Sequence, residues 1–215
     1  MLRGSNQAAS VLVCYNIPMK VTYKKRDGVL VFETKEGRQT SQVAFRLEDK
    51  KPVEALFTNY PVLFDLVDTN PKENEFYLYT VGDLIKKGGF YSNLEGEYMP
   101  TKGFIVELDY TPWGIRAKIT ASNLIVYLLA SLPNTQASTK EITDAIPSEA
   151  VVIGPGSLLA NIPNILESKL IILYKEADEF KSKLGVSSIE SKNSVSISPT
   201  KVETATALIG VYSLE

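Results

Sequence analysis

Histidine is absent from this 215-residue chain, and cysteine occurs once, as Cys14. Without histidine there is no Ser-His-Asp or Cys-His catalytic set, no histidine general base and no histidine metal ligand. A single cysteine excludes an intrachain disulfide and a cysteine-based structural zinc site. Cys14 lies in the apolar run Val11–Tyr15, where a cysteine is typically an inert small side chain. The sequence therefore predicts no metal site and no bound cofactor.

Long apolar runs are missing as well. The longest uncharged apolar block is Leu124–Ala130, far short of the roughly 18 residues that a membrane span needs. Residues 1–10 are mostly polar, and the apolar run after them is too short for a signal peptide. We therefore expect a chain that crosses no membrane, is not exported by a standard signal peptide, and resides in the cytoplasm or in a virion.

Neither sign of charge dominates, because 23 basic residues face 25 acidic ones for a formal net charge of −2. This balance gives no general attraction to nucleic acid. The charges are unevenly spread: residues 18–51 hold nine Lys or Arg against five Asp or Glu, whereas residues 141–190 hold four against eight. Because a chain with a basic and an acidic part can attract copies of itself, the predicted partners are further copies or other subunits of an assembly.

The first two-thirds of the chain contain a strand-like alternation of apolar and polar residues. Met19, Val21 and Tyr23 alternate with lysine and threonine, and Phe104–Tyr110 follows the same period of two. Asp27-Gly28 between two such runs is typical of a hairpin turn. Such alternation belongs to antiparallel sheets with one solvated face. We predict a mainly β fold, an antiparallel sandwich or jelly-roll-like barrel, with an α+β domain as the alternative.

One substantial helix is predicted near residues 164–184, because apolar residues recur there at steps of three and four, and Gly185 is a suitable stop. The rival interpretation splits this stretch into a strand, Lys169–Tyr174, and a helix from Lys175. Residues 122–132 fit either a short helix or a strand.

A Ser/Thr-rich segment, residues 186–206, follows this helix and precedes a last apolar run, Ala207–Tyr212. We expect the segment to form a loop with one edge strand and to lead to a C-terminal strand. There is no convincing internal repeat and no long linker. We therefore predict a single domain spanning residues 1–215.

The stretch VVIGPGSLLANIPN, residues 151–164, contains the candidate binding loop. A strand that ends in glycines before a helix can present backbone N–H groups to an anion, and glycine lets the anion approach closely. The candidate ligand-binding residues are therefore Gly154, Gly156 and Ser157. Locally the stretch resembles a segment of the 2-phospho-L-lactate transferase family, in which a similar Gly-Pro-Gly-Ser run lies on a nucleotide-binding Rossmann-like fold. The rest of the chain lacks the βαβ alternation and the early Gly-rich loop of that family, so a tight turn between two apolar elements is the preferred interpretation.

Three further groups of residues are candidate sites. Asp65 and Asp68 form an acidic pair inside an apolar run, and we expect them to be solvated at the end of a strand. The basic run Lys24-Lys25-Arg26 is expected at a hairpin tip, where charge favours solubility but can also contact phosphates. Aromatic residues around a Gly-rich region are candidates for a protein interface, since tyrosine is favoured there. These aromatic residues are Tyr77, Tyr79, Phe90, Tyr91 and Tyr98.

Taken together, these features predict a non-enzymatic structural or assembly protein, such as a viral coat or capsid component. The grounds are the β pattern, the lack of a catalytic set, the charge asymmetry and the recurrence of jelly rolls in coats. One alternative is a phosphate- or nucleotide-binding protein, for instance a transferase, built around Gly154, Gly156 and Ser157. The other alternative is a protein-binding module that uses the Tyr- and Gly-rich region.

Overall fold

The computed structural model describes residues 16–67, 89–111, 114–131, 146–147 and 149–214. Their strands form two sheets. The six-stranded sheet contains β1 (Met19–Lys24), β2 (Val29–Glu36), β3 (Gln39–Arg46), β4 (Val62–Asp65), β5 (Phe90–Ser92) and β13 (Val195–Ile197). The eight-stranded sheet contains β6 (Gly96–Thr101), β7 (Phe104–Thr111), β8 (Gly114–Ala121), β9 (Leu124–Ser131), β10 (Val151–Pro155), β11 (Leu170–Lys175), β12 (Glu190–Lys192) and β14 (Val211–Leu214).

The strand order is β13-β1-β2-β3-β4-β5 in the six-stranded sheet and β12-β14-β11-β10-β9-β8-β7-β6 in the eight-stranded sheet. Of the described residues, 49% lie in strands and 16% are helical, so the prediction of a mainly β fold is confirmed. The purely antiparallel arrangement is wrong, because the described strands form six antiparallel and six parallel ladders. Both sheets are therefore mixed, and the jelly-roll topology is not confirmed.

The predicted alternation places apolar side chains between the two sheets. In β1, Met19, Val21 and Tyr23 are buried, while Lys20 and Lys24 are exposed. The turn after β1 pairs Lys24 with Val29, as the Asp-Gly signal predicted. Gly28 is required there, because its φ is +68° and an added Cβ would lie 2.7 Å from the Glu48 carbonyl oxygen.

Strands β10 and β11 are apolar on both faces, which is the pattern of parallel strands covered on both sides. Their inner side chains, such as Ile153 and Ile172, join the core between the sheets. Their outer side chains, such as Val152 and Leu173, pack in a second cluster that includes Phe180. The ladder between β10 and β11 is parallel.

The single helix predicted over residues 164–184 is wrong. Residues 165–167 form a short 3-10 turn, β11 follows, and only Ala177–Leu184 is helical. The helical spacing of apolar residues was misleading because Leu170–Tyr174 forms a strand whose two faces are both buried. Every position in that strand is apolar, and such a run also contains apolar residues at steps of three and four. The rival interpretation, a strand at Lys169–Tyr174 followed by a helix, is confirmed within a residue or two.

Helices cover the outer face of each sheet. Helix α1 (Val53–Phe57) packs with residues of β2, β3 and β4 on the six-stranded sheet. Helices α2 (Gly156–Leu159) and α3 (Ala177–Leu184) pack on β10 and β11 of the eight-stranded sheet. The described residues thus form four layers, in the order helix, sheet, sheet, helix. No helix within these residues is long and apolar enough to span a membrane.

The ambiguous stretch after residue 121 is a strand, since Ser122 and Asn123 form a turn between β8 and β9. The Ser/Thr-rich segment crosses between the sheets: β12 lies in one sheet, β13 in the other, and helix α4 (Pro199–Thr204) leads back toward β14. Strand β14 pairs in parallel with β11 on one side and β12 on the other.

The parallel strands of both sheets end on the same side of the molecule. Arg46 and Asp65 are the last residues of neighbouring strands in one sheet, and Lys175 is the last residue of β11 in the other. The Tyr23 and Tyr174 rings join the two sheets at this side, with their centroids 5.7 Å apart. We call this side the carboxyl edge.

Removing residues 211–215 should prevent folding or cause aggregation, because β11 would keep an unpaired edge and β12 would lose its partner strand. Soluble yield and thermal unfolding followed by circular dichroism would measure the effect, with full-length Ser213→Ala as the control. A truncated chain that stays soluble with an unchanged Tm would contradict the role given to β14.

Candidate functional site

The candidate loop at Gly154, Gly156 and Ser157 lies at the end of β10 and the start of α2, on the carboxyl edge. A Cβ on Gly156 would lie 2.0 Å from the Glu176 carbonyl oxygen, and one on Gly154 would lie 2.9 Å from the Leu159 side chain. Both glycines are therefore needed for close packing. The Ser157 N–H lies 3.3 Å from Glu176 Oε2, and the Ser157 hydroxyl also donates to that oxygen.

The loop thus already contacts a carboxylate of its own chain. An external anion would have to displace the Glu176 side chain before it could reach the Ser157 N–H and O–H groups. The sequence pattern identified Ser157 but not Glu176, which lies 19 residues later in the chain and has no motif of its own. Binding of a ligand by Gly154, Gly156 and Ser157 remains a prediction.

Three of the five aromatic interface candidates lie in described residues, and the structure brings them together near β5; Tyr77 and Tyr79 lie outside the described residues. The Phe90 and Tyr98 ring centroids are 5.6 Å apart, and both rings pack against Phe64. Tyr91 contacts the Phe57 ring at 6.0 Å between centroids. These rings thus pack on their own sheet, and a role in binding a partner remains a prediction.

A buried ion pair joins the ends of β3 and β4. Arg46 Nη1 lies 2.8 Å from Asp65 Oδ2, and the two residues are direct neighbours in the parallel ladder. Arg46 is 3% exposed and Asp65 is fully buried, while a second guanidinium nitrogen contacts Asp49. The Val67 N–H donates to Asp65 Oδ1 at 3.0 Å. Charges this deep persist only when paired and hydrogen-bonded, as they are here.

The expectation that Asp65 is solvated is therefore wrong; Asp68 lies outside the described residues. Sequence reasoning noticed Asp65 in an apolar run but missed Arg46, its partner. The signal available was a charged residue at the end of each of two apolar strands, but their parallel alignment was not predicted.

A polar cluster formed by Tyr23, Glu48 and Lys50 lies beside this pair on the carboxyl edge. The Tyr23 hydroxyl donates to Glu48 Oε2 at 2.5 Å, and Lys50 forms an ion pair with the same carboxylate. Burial raises the pKa of Tyr23, and the Glu48 carboxylate raises it further. Burial alone would raise the pKa of Glu48, but hydrogen bonds from Lys50 and Tyr23 outweigh it and lower that pKa. Both groups are held in their usual ionisation states at neutral pH.

The hairpin turn after β1 is fixed to the carboxyl edge through Asp27. Tyr60 donates to the Asp27 carboxylate at 2.6 Å, and Lys51 Nζ lies 2.5 Å from it. These two bonds lower the pKa of Asp27, with Lys51 the larger cause. The Lys50 ammonium donates to the Lys25 carbonyl oxygen at 2.9 Å, which ties the turn to the residues after β3.

Three cations of this turn remain available to a ligand. Lys24, Lys25 and Arg26 are exposed, and none of them forms an ion pair with a residue that the structure describes. Two acidic groups at this turn, Asp27 and Glu48, already bind Lys51 and Lys50. We refer to Lys24, Lys25 and Arg26 as the basic tip.

Comparison with known proteins finds similarity at the level of structure alone. No family profile matches the chain, and no curated protein matches it. Three solved chains match. One is a Thermotoga maritima protein described as a "putative zn-dependent hydrolase of the metallo-beta-lactamase superfamily", with a TM-score of 0.50 and 15% sequence identity over 92% of this chain and 99% of that one. At this identity the likeness shows the overall fold.

This likeness overturns the interpretation as a non-enzymatic structural or assembly protein. The similar structure is described as an enzyme, and nothing in the comparisons supports a capsid or virion component. The error arose because alternating strands are common to many sandwich folds. The parallel strands and outer helices that separate this fold from a jelly roll leave a weaker sequence signal.

The residues of this chain do not fit a histidine-bound zinc ion. The chain has no histidine, and its one cysteine, Cys14, lies outside the described residues. Within the part of the chain that the structure describes, no group of three or more Asp, Glu or Cys side chains is placed to hold a metal. Since a catalytic zinc takes three protein ligands, the zinc chemistry named for the similar protein does not transfer to these residues.

Replacing Asp65 with Asn should destabilise the chain by about 3–5 kcal/mol, because the buried Arg46 charge would lose its buried carboxylate partner, while the contact with the exposed Asp49 would remain. Replacing both residues, as Arg46→Met with Asp65→Leu, should cost less than Arg46→Met alone or Asp65→Leu alone, because no charge would then be left buried. Urea unfolding of these variants and of the wild-type chain would give the free energies. As a control, Glu179→Gln breaks the exposed pair with Lys183 and should change stability by only about 0.5 kcal/mol. A double variant as unstable as the sum of the singles would contradict this account.

Proposed function

We propose that this chain binds a small polyanionic molecule at its carboxyl edge, and that it does so without a histidine-bound zinc ion. The observation that carries the proposal is the basic tip. Its three exposed cations form no ion pair with any described residue, and hydrogen bonds fix the turn that bears them to the carboxyl edge. The ligand class follows from the sign of this charge.

The position of the basic tip supports a ligand site. In sheets with parallel strands, ligands bind in the crevice beyond the carboxyl ends of the strands, and the tip borders that edge in this fold. The Gly28 carbonyl accepts hydrogen bonds from the Leu47 and Glu48 N–H groups at 2.8 and 3.2 Å, directly after β3 ends. The cations are therefore held beside the ends of β3 and β4.

The turn is rigid enough to favour specific binding. Asp27 is bonded to Tyr60 and Lys51, and the Asp27 and Gly28 N–H groups both donate to the Lys24 carbonyl at 2.9 Å. A loop ordered before it binds loses less conformational entropy when the ligand arrives. A net charge of −2 for the whole chain makes this basic surface a local feature and not part of a general positive field.

A small anion fits the described part of the edge better than a nucleic acid does. Single-stranded nucleic acids bind through a basic groove together with exposed aromatic rings on which bases stack. The tyrosines next to the basic tip, Tyr23 and Tyr60, are each 5% exposed and use their hydroxyls within the protein. The described edge thus offers charge without stacking surfaces.

Reversing two charges of the basic tip, as Lys24→Glu with Arg26→Glu, should weaken binding of citrate and pyrophosphate by about tenfold or more, since charge-assisted bonds are lost. Isothermal titration calorimetry at two salt concentrations would measure Kd. The matched control is Lys35→Glu with Arg38→Glu, which makes the same charge change near the turn between β2 and β3, at the other end of β2. Equal Kd values for the wild-type chain and the tip variant, or equal weakening by the control, would contradict the proposal.

Zinc should neither bind stoichiometrically nor stabilise the chain, because the histidine ligands of a zinc site are absent. Incubation with zinc chloride, desalting and elemental analysis should find far less than one zinc per chain, and a chelator should leave Tm unchanged. Retention of one zinc per chain, together with a fall in Tm on chelation, would contradict the zinc-free account.

A further inference from the structure

The Ser/Thr-rich crossover encloses a cavity at the open side of the sandwich. Residues of β12, β13, α4 and β14 line this space, whose volume is about 340 Å³. Strands β13 and β12 are edge strands of the two different sheets, so the cavity lies where the sheets are not joined by a strand. The cavity is far from the carboxyl edge. Its wall includes Leu170, the first residue of β11, and Lys175 at the carboxyl edge is the last residue of the same strand. The length of the strand places these two residues about 17 Å apart.

The cavity wall combines cations and hydroxyl groups. No carboxylate is among the residues that line it. A lysine can form a charge-assisted hydrogen bond with an anion, and serine and tyrosine hydroxyls can donate further bonds to it. The polar lining residues are Lys192, Ser194, Ser196, Ser198, Lys201 and Tyr212.

The two lysines differ in how they are held. Lys192 Nζ lies 4.1 Å from the centroid of the Tyr212 ring and 3.2 Å from a Glu190 oxygen, so its ammonium group is fixed near the cavity. The cation–π contact orients this lysine without affecting its charge, whereas the Glu190 carboxylate offsets part of that charge. Lys201 is exposed on α4 and forms no ion pair with any described residue, so its charge is available to a ligand.

The remaining wall is apolar. Ile209 is 39% exposed and Val202 is half-buried, so both offer apolar surface to the cavity, while Val195 and Ile197 lie almost fully buried behind them in the core between the sheets. A ligand that fills the space would therefore place a charged group at the lysines and a short apolar part against these side chains. An inorganic anion would satisfy only the polar half of the wall.

We propose that this cavity is a second ligand site, which binds a small organic anion such as a short-chain carboxylate or an aryl phosphate. The site is independent of the proposed function at the carboxyl edge, since it uses different residues at a different place. Ligand recognition rests on the charges of Lys192 and Lys201, on the serine and tyrosine hydroxyls, and on the apolar wall.

Titration of the ¹⁵N-labelled chain with butyrate and with phenyl phosphate tests this site by NMR. Amide signals of residues 192–201 are expected to shift, and Lys192→Met with Lys201→Met should weaken binding by about tenfold or more. Lys201→Met alone, which leaves the Tyr212 contact intact, should weaken it in the same direction. Inorganic phosphate should bind more weakly than phenyl phosphate.

The matched control is Lys181→Met with Lys183→Met, which removes two exposed charges of α3 outside both proposed sites and should leave binding of both probes unchanged. Loss of binding in the tip variant Lys24→Glu with Arg26→Glu, and not in the Lys192 and Lys201 variants, would place these ligands at the carboxyl edge and overturn the second site. Absence of any shift in residues 192–201 at millimolar probe would overturn it as well. Failure of citrate binding at the basic tip would leave the result for the cavity unaffected.

Discussion

Burial of β10 and β11 on both faces is the constraint on which the rest of the structure depends. Inner side chains such as Ile153 and Ile172 must meet the six-stranded sheet, and outer ones such as Val152 and Leu173 must be covered by helices. Parallel pairing of these strands follows from the helical crossover between them. Their carboxyl ends therefore reach one edge, where they lie near the ends of β3 and β4.

The ion pair at the end of β3 and β4 shows how this edge is organised. Burial of Arg46 and Asp65 costs desolvation, which their mutual contact and added hydrogen bonds offset. The neighbouring polar groups are likewise bonded within the chain, including Glu48 with Tyr23 and Glu176 with Ser157. The basic tip is the part of the described edge whose charges are left for a ligand, which is why the proposed function depends on it and not on zinc.

The sequence allowed prediction of the elements that follow a simple period. Alternation located β1 and β7, and Asp27-Gly28 correctly predicted the turn of the first hairpin. The stretch containing β11 was misassigned because an all-apolar strand also satisfies helical spacing. Pairings between distant residues, such as Arg46 with Asp65 or Ser157 with Glu176, depend on strand order, which one sequence does not reveal. The candidate site was therefore only partly predictable, with the basic tip identified and its fixed position missed.

The central claim is that the carboxyl edge, without zinc, is where a small polyanion binds. Amide chemical-shift mapping of the metal-free chain during a citrate titration tests it most directly. The account predicts that the shifted signals cluster in residues 24–28 and 46–51, where the hairpin turn meets the end of β3. Shifts confined to other parts of the chain, or binding that appears only after zinc is added, would contradict it.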